Sequence, residues 1–182
     1  MELLSNEDHR LWKIVLIGDG AVGKTSLRKR YLGEGFETDY LSTMGADFAL
    51  YDTTVKETHI RWQIWDLAGQ PVFKDVVKAY YTKVFGGILV YDITRHQTFK
   101  NVEKWLNDIR ENSKRDRDVP VILLANKSDL REEGTETVST DEGKALADRL
   151  GLNFIETSAK TGEGVQAAFN QLGTKILDFT SE

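Results

Sequence analysis

The sequence predicts a three-layer α/β domain: a mostly parallel six-stranded sheet with one antiparallel edge strand and helices on both faces. Three observations carry that expectation. Apolar runs alternate with amphipathic segments along the chain, and strands separated by helices are joined by right-handed crossovers that cover both faces of a sheet. Two runs, Ile14-Val15-Leu16-Ile17 and Val121-Ile122-Leu123-Leu124, are continuously apolar, as strands buried on both faces are. Residues 46–55 and 59–66 instead alternate, are rich in aromatics, and are joined by Lys56-Glu57-Thr58, which is a hairpin pattern.

Taken in order, residues 12–18 read as a buried strand and about 24–32 as a helix. A polar, glycine-containing loop over 34–45 leads into the hairpin. Strand-like runs follow at 88–92, 119–126 and 153–157. Between them, 98–113 and 141–150 carry apolar residues at helical spacing, with a loop at 131–138, and a last helix covers about 164–177. The length of 182 residues suits one domain, 1–182, with its core over about 12–178. Ligands of such sheets sit at the carboxyl ends of the strands.

Composition narrows the function classes. Hydrophobic residues make up 40% and charged residues 29%, an ordinary globular balance, and the formal net charge is -5. That charge argues against a general nucleic-acid binder. The sequence has no cysteine, which excludes disulfides, thiolate metal sites, cysteine catalysis and a lipid anchor on cysteine in this chain. No glycine follows Met1 and no apolar run reaches membrane-span length, so a cytoplasmic protein is expected.

Gly18-Asp19-Gly20-Ala21-Val22-Gly23-Lys24-Thr25 fits the full phosphate-loop pattern, after an apolar strand and before a helix. Glycines let successive N–H groups face an anion, and the helix N-terminus adds its positive end. Lys24 supplies a point charge for the β- and γ-phosphates, and Thr25 a hydroxyl for Mg²⁺. The stretch from Asp19 to Ser26, with Gly20, Ala21, Val22 and Gly23 at its centre, is the candidate cradle of a nucleoside triphosphate.

Trp65-Asp66-Leu67-Ala68-Gly69-Gln70 closes the hairpin. An aspartate ending a strand beside a phosphate loop is placed to hold Mg²⁺. Gly69 frees an N–H for the γ-phosphate and Gln70 can orient the attacking water, so both stand with Lys24 as candidate catalytic residues. Taken singly, Asp66 could equally cap a turn and Gln70 sit in solvent.

Asn126-Lys127-Ser128-Asp129 ends another strand. A carboxylate at Asp129 can accept from both N1–H and the exocyclic amine of guanine; against adenine it would be left unpaired, which is costly. Lys127 can lay its stem on the base, and Ser158-Ala159-Lys160 can offer backbone N–H groups to the guanine oxygen. The nucleotide expected is therefore GTP or GDP.

With these motifs in order, residues 12–178 resemble the Ras superfamily of small GTPases, and most nearly its Rab branch. The branch is carried by Ser42-Thr43-Met44-Gly45-Ala46-Asp47-Phe48, Gln63-Ile64-Trp65-Asp66, Tyr80-Tyr81 and Leu89-Val90-Tyr91-Asp92-Ile93-Thr94. The resemblance implies that Thr43 completes the Mg²⁺ site with Thr25 and Asp66 and meets the γ-phosphate, which adds it to the candidate catalytic residues. It also implies that Phe36 lies edge-on to guanine, Tyr40 folds over the phosphates, and Phe48, Trp65 and Tyr80 face effectors, exchange factors and GTPase-activating proteins. Pro71, Met44 and Ala46 depart from the branch pattern, a divergence that would suit an early-branching or archaeal relative. The proline predicts a stiff start to the second switch. The ending Asp178-Phe179-Thr180-Ser181-Glu182 lacks a prenylatable cysteine, as a truncated or a lipid-free relative would.

A slow molecular switch follows from this reading, with membrane traffic as the setting the resemblance implies. No arginine lies between Arg30 and Arg61, so the first switch offers none in cis and a partner is expected to accelerate hydrolysis. The alternatives are a nucleotide-dependent scaffold that hardly hydrolyses, which intact Gln70 and Gly20 disfavour, and an ATP-using kinase, which Asp129 disfavours.

Overall fold

The computed structural model describes residues 10–37 and 41–181. Its strands are β1 Arg10–Ile17, β2 Ala46–Val55, β3 Thr58–Leu67, β4 Gly86–Asp92, β5 Val121–Asn126 and β6 Asn153–Thr157. Among the described residues they form one sheet in the order β2-β3-β1-β4-β5-β6. β2 pairs antiparallel with β3, and every other neighbour is parallel. The helices are α1 Lys24–Tyr31, α2 Lys74–Lys78, α3 His96–Lys100, α4 Val102–Asn112, α5 Thr140–Leu150 and α6 Val165–Ser181. The expected three-layer α/β fold with one antiparallel edge is what the chain adopts.

The pleat divides the core. Ile14 and Leu16 of β1 point to one face with Trp62, Leu27 and Phe169, whereas Val15 and Ile17 point to the other with Leu89, Tyr91 and Leu106. Because β1 lies between β3 and β4, its side chains find apolar partners on both faces, which explains its uninterrupted hydrophobic run. On the α1/α6 face, Tyr31 stacks on Phe169 with ring centroids 3.7 Å apart and accepts a hydrogen bond from the Trp62 indole at 3.2 Å. The turn end of the hairpin is seated in this core. Val55 is buried, and Gly173 of α6 leaves no room for a side chain because Val55 and Trp62 fill the space.

Some boundaries differ from those the sequence suggests. The helix expected over 98–113 is two pieces parted at Asn101, whose side chain accepts from Gln97 and donates to Asp19 at 2.7 Å. Short amides of this kind compete with the helical ladder. β5 starts at Val121, after Pro120, which has no N–H to give a sheet. α6 runs on to Ser181; the Thr180 and Ser181 hydroxyls bond back to carbonyls one turn earlier, and Arg117 lies over the Phe179 ring. Pro71 opens a 3₁₀ turn, Pro71–Phe73, that leads into α2. Among the described residues, no helix is long and apolar enough to cross a membrane.

Candidate functional site

The loops after β1, β3, β5 and β6, together with the segment between α1 and β2, meet at one cavity of about 400 Å³. Gly20, Ala21, Gly23, Lys24, Thr25 and Ser26 line one side of it, and Phe36, Thr43, Gly69 and Gln70 another. Asn126, Lys127, Asp129, Ala159 and Lys160 line a third. These loops are far apart in sequence. The parallel crossovers bring them together, which is why one end of the sheet holds nearly every residue singled out above.

The phosphate loop passes from β1 into α1 through Gly23, at φ 104°, a left-handed conformation that L side chains avoid. A Cβ there would also overlap the Asn126 amide. Lys24 is buried, with its ammonium donating to the Gly18 and Asp19 carbonyls at 2.9 and 2.7 Å. Burial pulls its pKa down to about 8, against the raising influence of the Asp66 and Asp19 carboxylates.

Beside the lysine, three hydroxyl and carboxylate oxygens converge. Thr25 Oγ1 donates to Asp66 Oδ2 and lies 3.0 Å from Thr43 Oγ1. Burial pushes the Asp66 carboxyl above its usual range, opposed by the Thr25 hydroxyl and the Lys24 and Arg28 charges. Asp66 Oδ1 is buried with no hydrogen-bond partner. A buried, unpaired carboxylate oxygen among hydroxyls is a hard-oxygen set that fits Mg²⁺. Among the described residues no cluster of three or more His, Cys, Asp or Glu could hold a metal.

Gly69 lies against the phosphate loop so closely that a Cβ would overlap the backbone of Gly18, Asp19 and Gly20. Only glycine fits that approach. Gln70, next in the chain, donates to the Ser42 hydroxyl and packs over Gly20.

The β5 and β6 loops are wired to the phosphate loop. Asn126 is 1% exposed, donates to the Val22 carbonyl at 2.8 Å and accepts from Thr157 at 3.1 Å. Lys127, at φ 70°, donates to the Ala21 carbonyl at 2.9 Å and pairs with Asp92 at 2.8 Å. Ser158 holds Asp129 Oδ1 at 2.6 Å, and Arg30 donates to the carbonyls of Ala159 and Lys160. The Asp129 carboxylate is thereby fixed in direction at the cavity wall.

Four of the expected site residues stand apart from the cavity lining. Asp19 turns its carboxylate outward to Asn101 and Trp105, both at 2.7 Å. Val22 is fully buried, and Asp66 and Ser158 lie behind the wall that they support. Asp19, Val22 and Ser158 could meet a ligand only through their backbone. Tyr40 lies outside the described residues. The aromatic triad is continuous: Phe48 stacks on Trp65 at 4.8 Å and Trp65 meets Tyr80 at a tilt at 4.9 Å, with Phe48 49% exposed. Sequence reasoning missed Arg95, whose guanidinium donates to the Gly20 carbonyl at 2.8 Å, and also Asn101 and Trp105. Nothing in their local sequence distinguishes them from ordinary helix-surface residues.

The fold and this constellation agree with what comparison finds. The family model for the Ras family matches residues 13–178. The chain is 44% identical over 172 residues to "Ras-related protein RIC2" of Oryza sativa subsp. japonica, covering 94% of this chain and 77% of that protein. It is 43% identical over 172 residues to "Ras-related protein YPT3" of Nicotiana plumbaginifolia, with the same coverage. To "Ras-related protein rab-11.1" of Caenorhabditis elegans it is 43% identical over 171 residues, 94% of this chain and 79% of that one. With one mostly parallel sheet, one loop-built cleft and relatives this close over nearly its whole length, the chain belongs to the Ras family of GTPases, on its Rab-like side.

Proposed function

We propose that this protein is a guanine-nucleotide switch: it binds GTP and GDP with Mg²⁺, hydrolyses GTP slowly, and presents its state to partner proteins. The observation that carries the proposal is the meeting of Lys24, the Thr25–Thr43–Asp66 oxygens, Gln70 and the clamped Asp129 around one cavity. Asp129 would accept the two donors of guanine, and its bond from Ser158 leaves Oδ2 for one of them. Lys24 and the loop N–H groups would stabilise charge on the phosphate oxygens. Thr25, Thr43 and Asp66 would hold Mg²⁺, which neutralises the phosphates when bound.

Gln70 would orient a water in line with the γ-phosphorus. The water oxygen bonds to that phosphorus, the bond to the β–γ bridging oxygen breaks, and GDP leaves with the electron pair. The proton ends on inorganic phosphate. No arginine lies in the described part of the first switch, so turnover would be slow, on the order of 10⁻⁴ to 10⁻³ s⁻¹, as in related domains without an arginine finger. Loss of the γ-phosphate would release Thr43 and Gly69, and the Phe48–Trp65–Tyr80 face would change with them. Effectors, exchange factors and activating proteins would read that face, in membrane traffic and from the cytoplasmic side.

The test is to purify the protein without added nucleotide, denature it and identify what is released by ion-exchange chromatography. GDP or GTP in one-to-one amount is expected, and adenine nucleotide would overturn the reading. Changing Asp129 to Asn should move preference from guanine to xanthine nucleotides; a protein indifferent to that change would also count against it.

A further inference from the structure

We infer that Arg95, on the loop after β4, is a positioning residue for hydrolysis, acting through Gly20 on Gln70. The inference rests on the proposed GTPase reading and deepens it.

Arg95 Nη1 donates to the Gly20 carbonyl at 2.8 Å, although 75 residues separate the two. The arginine projects from a fixed base. Its N–H donates to the Asp92 carbonyl at 3.0 Å, and its carbonyl accepts from the Thr98 hydroxyl and N–H at 2.8 and 2.9 Å. Thr98 is buried and also accepts from the Asp92 N–H at 3.0 Å, so the turn carrying Arg95 is pinned to the sheet.

On the other side of Gly20 lies the glutamine. A Cβ built on Gly20 would have Cγ, Cδ and Nε2 of Gln70 at 3.6 Å, so the glutamine side chain rests on this glycine at ordinary contact distance. Gly20 is therefore held between a guanidinium that fixes its peptide plane and the side chain that would orient the water. One residue earlier, Asn101 and Trp105 grip the Asp19 carboxylate from the same stretch of chain. The outer half of the phosphate loop is thus set by side chains from 95–105 rather than by the loop itself. Arg95 also lies close enough to Lys24 for its charge to be felt there. Its side chain is exposed, so replacing it removes the brace without opening the core.

A brace of this kind has a defined signature. It sets the approach geometry of water, on which rate depends steeply, and adds little to ground-state nucleotide affinity. The experiment is single-turnover hydrolysis by the full chain loaded with Mg²⁺ and GTP, together with release of a fluorescent GDP analogue. The variants are Arg95→Ala, Arg95→Lys, Gln70→Leu and the Arg95→Ala/Gln70→Leu double change. Arg95→Ala should lower the hydrolysis rate by about tenfold, with GDP release unchanged. Arg95→Lys, which keeps the charge and a donor, should recover part of the loss. In the Gln70→Leu background the alanine change should do nothing further, because the brace acts through the glutamine.

Wild-type hydrolysis by Arg95→Ala would overturn the inference. So would an equal loss in the Gln70→Leu background, or GDP release that quickens in step with the lost rate. Wild-type and Gln70→Leu proteins that hydrolyse at one identical rate would overturn the GTPase reading as well, and that outcome is distinct because it does not depend on any Arg95 variant.

Discussion

The two sides of the candidate nucleotide cleft are built differently. On the β5–β6 side, Asn126, Lys127, Thr157 and Ser158 join three loops through side-chain bonds that are buried or nearly so. On the switch side, among the described residues, the side chains are more exposed. Thr43 meets Thr25, Gln70 meets Ser42, and Leu41 and Met44 are 80% and 82% exposed. The first side is complete before a nucleotide arrives. The second, on the proposed reading, would be finished by the ligand. On that reading, pre-organisation on one side would supply affinity and base choice, while the more exposed side would respond to the γ-phosphate.

Breaking the stiff side should cost most. Asn126→Ala removes a bond to the Val22 carbonyl and one from Thr157, and leaves both groups buried without those partners. Affinity for GDP should fall about a hundredfold, near 2.7 kcal/mol, measured from release of a fluorescent analogue. A loss smaller than that caused by switch-side changes would reverse the comparison. Thr43→Ala, on the open side, removes one hydroxyl from the Mg²⁺-facing set. It should weaken Mg²⁺-dependent GTP binding by about tenfold and leave GDP release in excess chelator unchanged.

The smallest effect lies far from both sides and serves as their control. Ser139 and Glu142 form a capping box on α5, with the Ser139 hydroxyl accepting at 3.1 Å and Glu142 accepting from the Ser139 N–H at 2.8 Å. Ser139→Ala should lower unfolding stability by ~1 kcal/mol without altering GDP release. Its partner adds a pH dependence whose sign is set by the bonds from Ser139, which hold the Glu142 carboxyl below its ordinary 4.5. A depressed carboxyl contributes stability above 4.5 and loses it as pH falls through the lower folded value. A Glu142→Gln protein should therefore differ from wild type at neutral pH and converge with it in acid.

Much of this was legible because the chemistry is local. The phosphate loop, the Asp66–Gln70 stretch and the Asn126–Asp129 stretch each announce themselves within a few residues, and the alternation of strands and helices orders them along one sheet edge. What escaped is not local. Arg95 reaches Gly20 only because β4 lies beside β1, and no residue near 95 encodes that neighbour. The outward turn of Asp19 had the same cause: a carboxylate inside a phosphate-loop motif reads as part of the cradle, whereas its partners Asn101 and Trp105 stand on a different element. Gly86 and Gly87 hid the start of β4, because glycine reads as a break in a strand. Here the packing of Leu172 and Ile109 leaves no space for anything larger.

The hairpin has one further consequence. Both switches are attached to its open end: Thr43 precedes β2, Gly69 follows β3, and the Ala68 N–H donates to the Gly45 carbonyl at 2.8 Å. Its closed end is seated through Val55 against Gly173. β3 is held to β1 from Ile60 to Asp66, so the freedom left to the ribbon lies in the edge strand β2, and displacement there decays from the open end toward the seated one. Nucleotide state should thus be written as a gradient along β2, strong at Ala46 and absent at Val55. A partner sensing the state has to grip the ribbon near the cleft, and one that grips near Lys56 would be deaf to it.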